Sequence, residues 1–201
     1  MSSSDYGDPK TRRHVLEVTW ELLVERGSSL RLNEVAERAG VSRQALYLHF
    51  GDRRGLILAL VQHMDESLNL GKQLARVYAA DDGAQLLERA MRLNTEFWSK
   101  VAPVASILSA AEEDDSLHAA WRDRMAYRRA TFRRMAEQLE ERGELAPPWD
   151  VEEASELIFA VAHFHSWREL TAELGWSDDH YVEAMSRLLR QALILGDGDK
   201  A

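Results

Sequence analysis

The sequence predicts an all-α protein: an N-terminal three-helix segment containing a helix-turn-helix, then a larger helical region, with about nine helices in total. Three observations lead there. Only four prolines and eleven glycines punctuate 201 residues. The intervals between them carry apolar residues at helical spacings of three and four. No stretch alternates apolar and polar residues convincingly enough to be a strand.

The first helix is expected from about Thr11 to Arg26, with Val15, Val18, Leu22 and Leu23 on one stripe and Gly27 as its stop. A second should run through about Leu32 to Ala39 and end at Gly40. A third begins after Ser42, whose hydroxyl can accept from the free amides of the next turn, and stops near Phe50 and Gly51. Asp52 then caps a long fourth helix containing Leu56, Leu60, Val61 and Met64. Beyond Gly71, helices are expected near Gly83–Val101, Pro103–Ala111, Ser116–Arg142, Val151–Leu174 and Asp178–Leu195. Pro103 is read as a break, Gly143 as a C-terminal cap, and Asp150 with Glu153 as a capping pair after Pro147 and Pro148. The polar ends, residues 1–8 and 196–201, are expected to be disordered.

Composition excludes several classes of protein. At 45% hydrophobic and 29% charged residues the chain can bury a core. It lacks the run of about 18 apolar residues that a membrane span requires, and MSSSDYGDPK does not read as a signal peptide, so the expected location is the cytoplasm, without a membrane partner. Zero cysteines remove disulfides, thiolate nucleophiles and thiolate metal sites together. His163 and His165, two apart on a helix, point roughly 200° from one another and cannot share one ion. Asp114 and His118 read as an ordinary helix contact. No GxSxG, HExxH, P-loop or dinucleotide fingerprint is present, so no metal, cofactor or catalytic residue is expected, and the chain does not read as an enzyme.

Charge is unevenly distributed. Residues 9–54 hold nine basic and six acidic side chains, a surplus of +3 that leaves −12 for the remainder of a chain whose formal charge is −9. A small basic segment attached to a large acidic one suggests a nucleic-acid reader joined to a part with another task. The segment LNEVAERAGVSRQALYLHF, Leu32 to Phe50, supplies the reader. Val35, Ala36 and Ala39 pack inward, Gly40 permits the sharp turn, and Val41 and Leu46 plug the angle between the two helices. Left outward are Arg43, Gln44, Tyr47 and His49. Arg43 and Gln44 can make paired hydrogen bonds to guanine and adenine edges in a major groove, while Ser42, Tyr47 and His49 suit phosphates.

These residues resemble the helix-turn-helix of the TetR family of bacterial transcriptional regulators. The resemblance rests on Val35-Ala36, Ala39-Gly40-Val41-Ser42, Ala45-Leu46-Tyr47, His49-Phe50, Asp52-Arg53 and Leu56, in register over roughly Val15 to Leu60. Two positions depart from the family pattern. Arg31 stands where a capping Thr is usual, which puts the capping of the second helix in question, and Arg54 stands where an acidic residue is common. Arg31 and Arg54 could each still reach a phosphate, and Arg53 at a helix start opposes the helix dipole at a small cost that phosphate binding would offset.

The resemblance implies a homodimeric, ligand-responsive regulator, a repressor more readily than an activator. It would bind a pseudo-palindromic double-stranded operator through residues 9–54 and a small-molecule effector through residues 55–195. On this reading the apolar stripes place two polar residues, Asn94 and Arg128, among walls formed by Phe97, Trp98, Trp121 and Met125. An interhelical hydrogen bond or an ion pair would equally satisfy those two. His63 and Met64, on the fourth helix, are candidates for coupling the two parts. The last two helices carry more apolar surface than one small domain needs, with Leu157, Val161 and Phe164 on one and Val182, Met185 and Leu189 on the other, which points to a second copy. The alternative of a different class is a helical ligand carrier or enzyme in which the helix-turn-helix is only structural.

Overall fold

Asp8 opens the first helix, α1 (Pro9–Arg26): its carboxylate accepts the Lys10 amide, and Pro9, with no amide to satisfy, sits in the first turn. The computed structural model describes residues 8–111 and 113–195, so the ends expected to be disordered lie outside the described residues, Asp8 excepted. Gly27 ends α1 at φ 70°. Next come α2 (Leu32–Arg38), α3 (Arg43–Phe50) and α4 (Arg53–Leu68). Side-chain caps start the latter two where the sequence places them: the Ser42 hydroxyl accepts the Ala45 amide at 3.1 Å and the Asp52 carboxylate accepts the Gly55 amide at 2.7 Å. Such caps stabilise a helix by about 1 kcal/mol each. α2 has none, because Arg31 occupies its cap position with no side-chain acceptor to offer.

The chain divides into two compact units, one taking in the residues up to Asn69 with Val101–Trp121, the other Leu70–Lys100 with those from Arg122 onward. In the first, α1 packs on α2 and α4, and α3 on α2 and α4. Val15, Leu23, Val35, Leu46, Leu56 and Leu60 meet in its core, each at most 1% exposed.

The later helices differ from expectation in three places. Residues 70–78, where the sequence predicts no helix, form a short one, α5 (Leu70–Tyr78). Its stripe Leu70, Leu74, Val77 is one helical face, and the preceding break is made by Asn69 in the left-handed region at φ 49°, not by Gly71. Pro103 does not interrupt its helix: α6 runs unbroken over Gly83–Ser109. An internal proline costs about 3 kcal/mol. Here Val101, Val104, Ala105 and Leu108, all buried around it, hold the helix through that penalty.

After α7 (Asp115–Glu141), the single helix expected at residues 151–174 is broken. α8 (Val151–Val161) stops, α9 (Phe164–Arg168) restarts, and a π-helical turn (Glu169–Glu173) leads to α10 (Asp178–Leu193). The carbonyls freed at the break find side-chain donors: Ser166 Oγ donates to Ala160 O at 2.8 Å, Tyr181 Oη to Val161 O at 2.7 Å and Trp98 Nε1 to Ala162 O at 3.0 Å. Free helix-end carbonyls require such partners, and two of these three come from α6 and α10, outside residues 151–174, which local periodicity cannot register. An isolated antiparallel bridge pairs Leu145 with Ile194, and no strand occurs among the described residues. No described helix is long and apolar enough to cross a membrane.

Candidate nucleic-acid interface and effector region

α3 has one buried and one bare side. Leu46 and Phe50 are 1% and 8% exposed, whereas Arg43, Gln44, Tyr47 and Leu48 stand in solvent, Tyr47 at 45% and Leu48 at 62%. Because residues 43, 44, 47 and 48 follow helical spacing, they form one continuous face. Ser42 is exposed and spends its hydroxyl on the cap. Arg53 is exposed and donates to the Ser28 carbonyl at 3.2 Å, which ties it to the loop between α1 and α2, and Arg31, at the end of that loop, is exposed too. His49, expected outward, is half-buried. Its ring lies 5.9 Å from that of Phe50, and its covered Nε2 has no hydrogen-bond partner. Arg12 lies over the Phe50 ring at 5.2 Å, and ion pairs of Arg26 with Glu34 (3.1 Å) and Arg38 with Glu25 (2.7 Å) join α1 to α2.

Gly55 is a residue the sequence reading missed. A Cβ there would lie far inside van der Waals contact with the Phe50 carbonyl oxygen and 3.2 Å from its carbon, so only glycine lets α4 start hard against the end of α3. A glycine in the first turn of a capped helix was the available signal.

In the second unit, Asn94, Phe97, Trp98 and Arg128 come together. The Arg128 guanidinium donates to Asn94 Oδ1, and to the Ala162 carbonyl at 3.4 Å. Of the alternatives left open by the sequence, the interhelical hydrogen bond is therefore formed. The guanidinium lies 4.3 Å from the Trp98 ring centre and 5.4 Å from those of Phe97 and Phe132. Burial pulls Arg128 down to about 9, so it remains charged at neutral pH. Met125 is buried in the same unit, while Trp121, Met64 and His63 belong to the first. Met64 is 3% exposed, and His63 is half-buried with its ring edge-on to Trp20 at 6.5 Å.

A sequence model described as "Bacterial regulatory proteins, tetR family" matches residues 15–60, and a second, "Tetracyclin repressor-like, C-terminal domain", matches residues 79–189, more than half of the chain. The chain belongs to the TetR family. As a member it is a DNA-binding transcriptional regulator. Its relatives include the HTH-type transcriptional repressor BepR of Brucella suis biovar 1 (strain 1330), 25% identical over 175 residues covering 76% of this chain and 77% of that one. The HTH-type transcriptional regulator AcrR of Shigella flexneri is 41% identical over 64 residues, 31% of this chain and 29% of AcrR. In fold it is similar to a crystallised regulator from Saccharomonospora viridis in complex with choline, with TM-score 0.75 at 19% identity, covering 94% of this chain and 100% of that one.

On this TetR-family chain the six residues expected at a dimer face divide into two groups. Phe164, Val182 and Leu189 are 0%, 4% and 0% exposed within the single chain, so its own core covers them and they do not face outward. For these three the expectation does not hold, because an amphipathic stripe does not tell which neighbour covers it. Leu157, Val161 and Met185 are half-buried, and Leu188, 46% exposed, shares the Met185 side of α10. Among the described residues no group of three or more His, Cys, Asp or Glu side chains could hold a metal ion.

Proposed function

We propose that this TetR-family regulator is a repressor that binds a pseudo-palindromic operator as a homodimer and is released by a small molecule, acting in the cytoplasm. Residues 9–54 serve as reader and 55–195 as effector-binding and dimerising part. The observation that carries this reading is the bare face of α3: Arg43 and Gln44 at its start can address base edges, Leu48 a thymine methyl, and Tyr47 with Ser42, Arg53 and Arg31 the phosphates. His49, half-covered, contributes less. The kinship with a repressor, BepR, supports repression over activation.

Two readers related by a twofold axis would enter successive major grooves about 34 Å apart. An effector that binds better to a dimer with another spacing lowers operator affinity, and a coupling of about 1–3 kcal/mol gives a 5- to 150-fold loss. His63 and Met64, on α4, are the residues proposed to transmit that coupling. The test is salt-dependent binding of the purified protein to its own upstream DNA and to random duplexes. A steep salt slope with at least a hundredfold preference for the upstream DNA is expected, and equal affinity for the two would refute the reading.

A further inference from the structure

Arg128 is a cation that the fold surrounds without neutralising. The chain carries 34 acidic residues, yet among the described residues no carboxylate pairs with this guanidinium, and the groups that shift it are its own burial and Tyr181. Its Nε is covered and unpartnered, as is Nδ2 of Asn94, a side chain 4% exposed. Two covered donors therefore point at no acceptor beside the hydrogen bond that joins their residues.

Capping the end of α8 does not account for this arrangement, because the Ala162 carbonyl already receives Trp98 Nε1 at 3.0 Å and the Arg128 bond to it is the longer, at 3.4 Å. A neutral donor would serve that purpose at a lower cost in desolvation. The neighbourhood adds to the positive charge: Arg129 lies over the Phe159 ring at 4.7 Å, and Phe159 is 5.2 Å from His163. His163 is itself pushed down to about 4 by burial first, then by His165, Arg128 and Arg129. Aromatic rings line the rest, with Phe97 and Phe159 only half-buried.

We infer that Arg128 and Asn94 are the anion-recognising end of the effector site, and that the effector carries a carboxylate on an apolar or aromatic body. A guanidinium edge matches a carboxylate in geometry and charge, the free Asn94 amide adds a donor, and the rings of Trp98, Phe97 and Phe132 accept the body. One guanidinium and one amide suit a singly charged head. This inference rests on the reading of residues 55–195 as the effector-binding part.

Calorimetric titration of the full chain, without DNA, tests it with three matched pairs: benzoate and benzyl alcohol, 1-naphthoate and 1-naphthalenemethanol, decanoate and decanol. At least one carboxylate should bind ten times more tightly than its alcohol. Arg128→Gln should remove that preference. So should Asn94→Asp, which keeps the side-chain size and gives the guanidinium an internal carboxylate, so that it remains informative if Arg128→Gln does not fold. The inference is overturned if no carboxylate is preferred over its alcohol, or if the preference survives in a folded variant. An intact operator shift together with a missing preference sinks this inference alone, while a preference in a protein that ignores its upstream DNA sinks the repressor reading.

Discussion

Two helical glycines should respond to alanine with opposite signs. Gly71 lies in α5, exposed, and a Cβ added there meets nothing within 4 Å. Alanine at this site removes backbone freedom from the unfolded chain and should stabilise by about 0.5–1 kcal/mol. Gly55 has the same helical backbone and would gain as much from propensity, but its Cβ collides with the backbone of Phe50, which cannot swing aside as a side chain would. Overpacking of that kind costs about 1–3 kcal/mol. Relief by backing α4 away would also give up the Asp52 cap on the Gly55 amide, worth about 1 kcal/mol. The net effect of Gly55→Ala is therefore a loss of about 1–2 kcal/mol. For a chain of this length, thermal unfolding should show Tm raised by about 1–4 °C in Gly71→Ala and lowered by about 2–8 °C in Gly55→Ala. Operator affinity should fall in the second, because the end of α3 moves. A Gly55→Ala protein as stable as the parent would refute the close-approach argument.

Arg43→Ala or Gln44→Ala should cost about 1–3 kcal/mol of operator affinity and relax preference at one base position, whereas Tyr47→Phe or Arg53→Ala should weaken all sequences alike; unchanged affinity in the first pair, measured by gel shift, removes α3 as the reading helix. Leu188→Glu should yield monomers in sedimentation and abolish tight operator binding, and a parent protein that is already monomeric at micromolar concentration contradicts the dimer. His163 prefers its neutral form in the fold, with a pKa near 4 against 6.5 when unfolded, so its contribution is complete above about pH 6.5 and is lost as pH falls toward 4. His163→Gln should flatten that part of the stability profile, and an identical acid limb in the variant would count against this assignment. Once an effector is known, His63→Ala or Met64→Ala should reduce its coupling to DNA, measured by titration with and without operator, more than it reduces either affinity alone.

The end of α1, both ends of α2 and α3 and the start of α4 were legible in the sequence because what sets them is local. Ser42 and Asp52 reach amides three residues ahead, Gly27, Gly40 and Gly51 adopt positive φ where the reading stops each element, and the stripes through Val15 and Leu46 need only the helical period. The composition of the outward face of α3 was legible for the same reason, except that His49 turned out to lean on Phe50 and the bare Leu48 passed unnoticed. The rest depended on partners far away in the chain. Whether Pro103 breaks α6 is decided by the side chains buried around it, and whether residues 151–174 form one helix is decided by donors from Trp98 and Tyr181, 64 and 20 residues from the carbonyls they reach. That Asn94 and Arg128 lie on apolar stripes was readable from spacing. That they face each other, ringed by aromatics and without a carboxylate, is a property of helices brought together from positions 34 residues apart, and only packing places them.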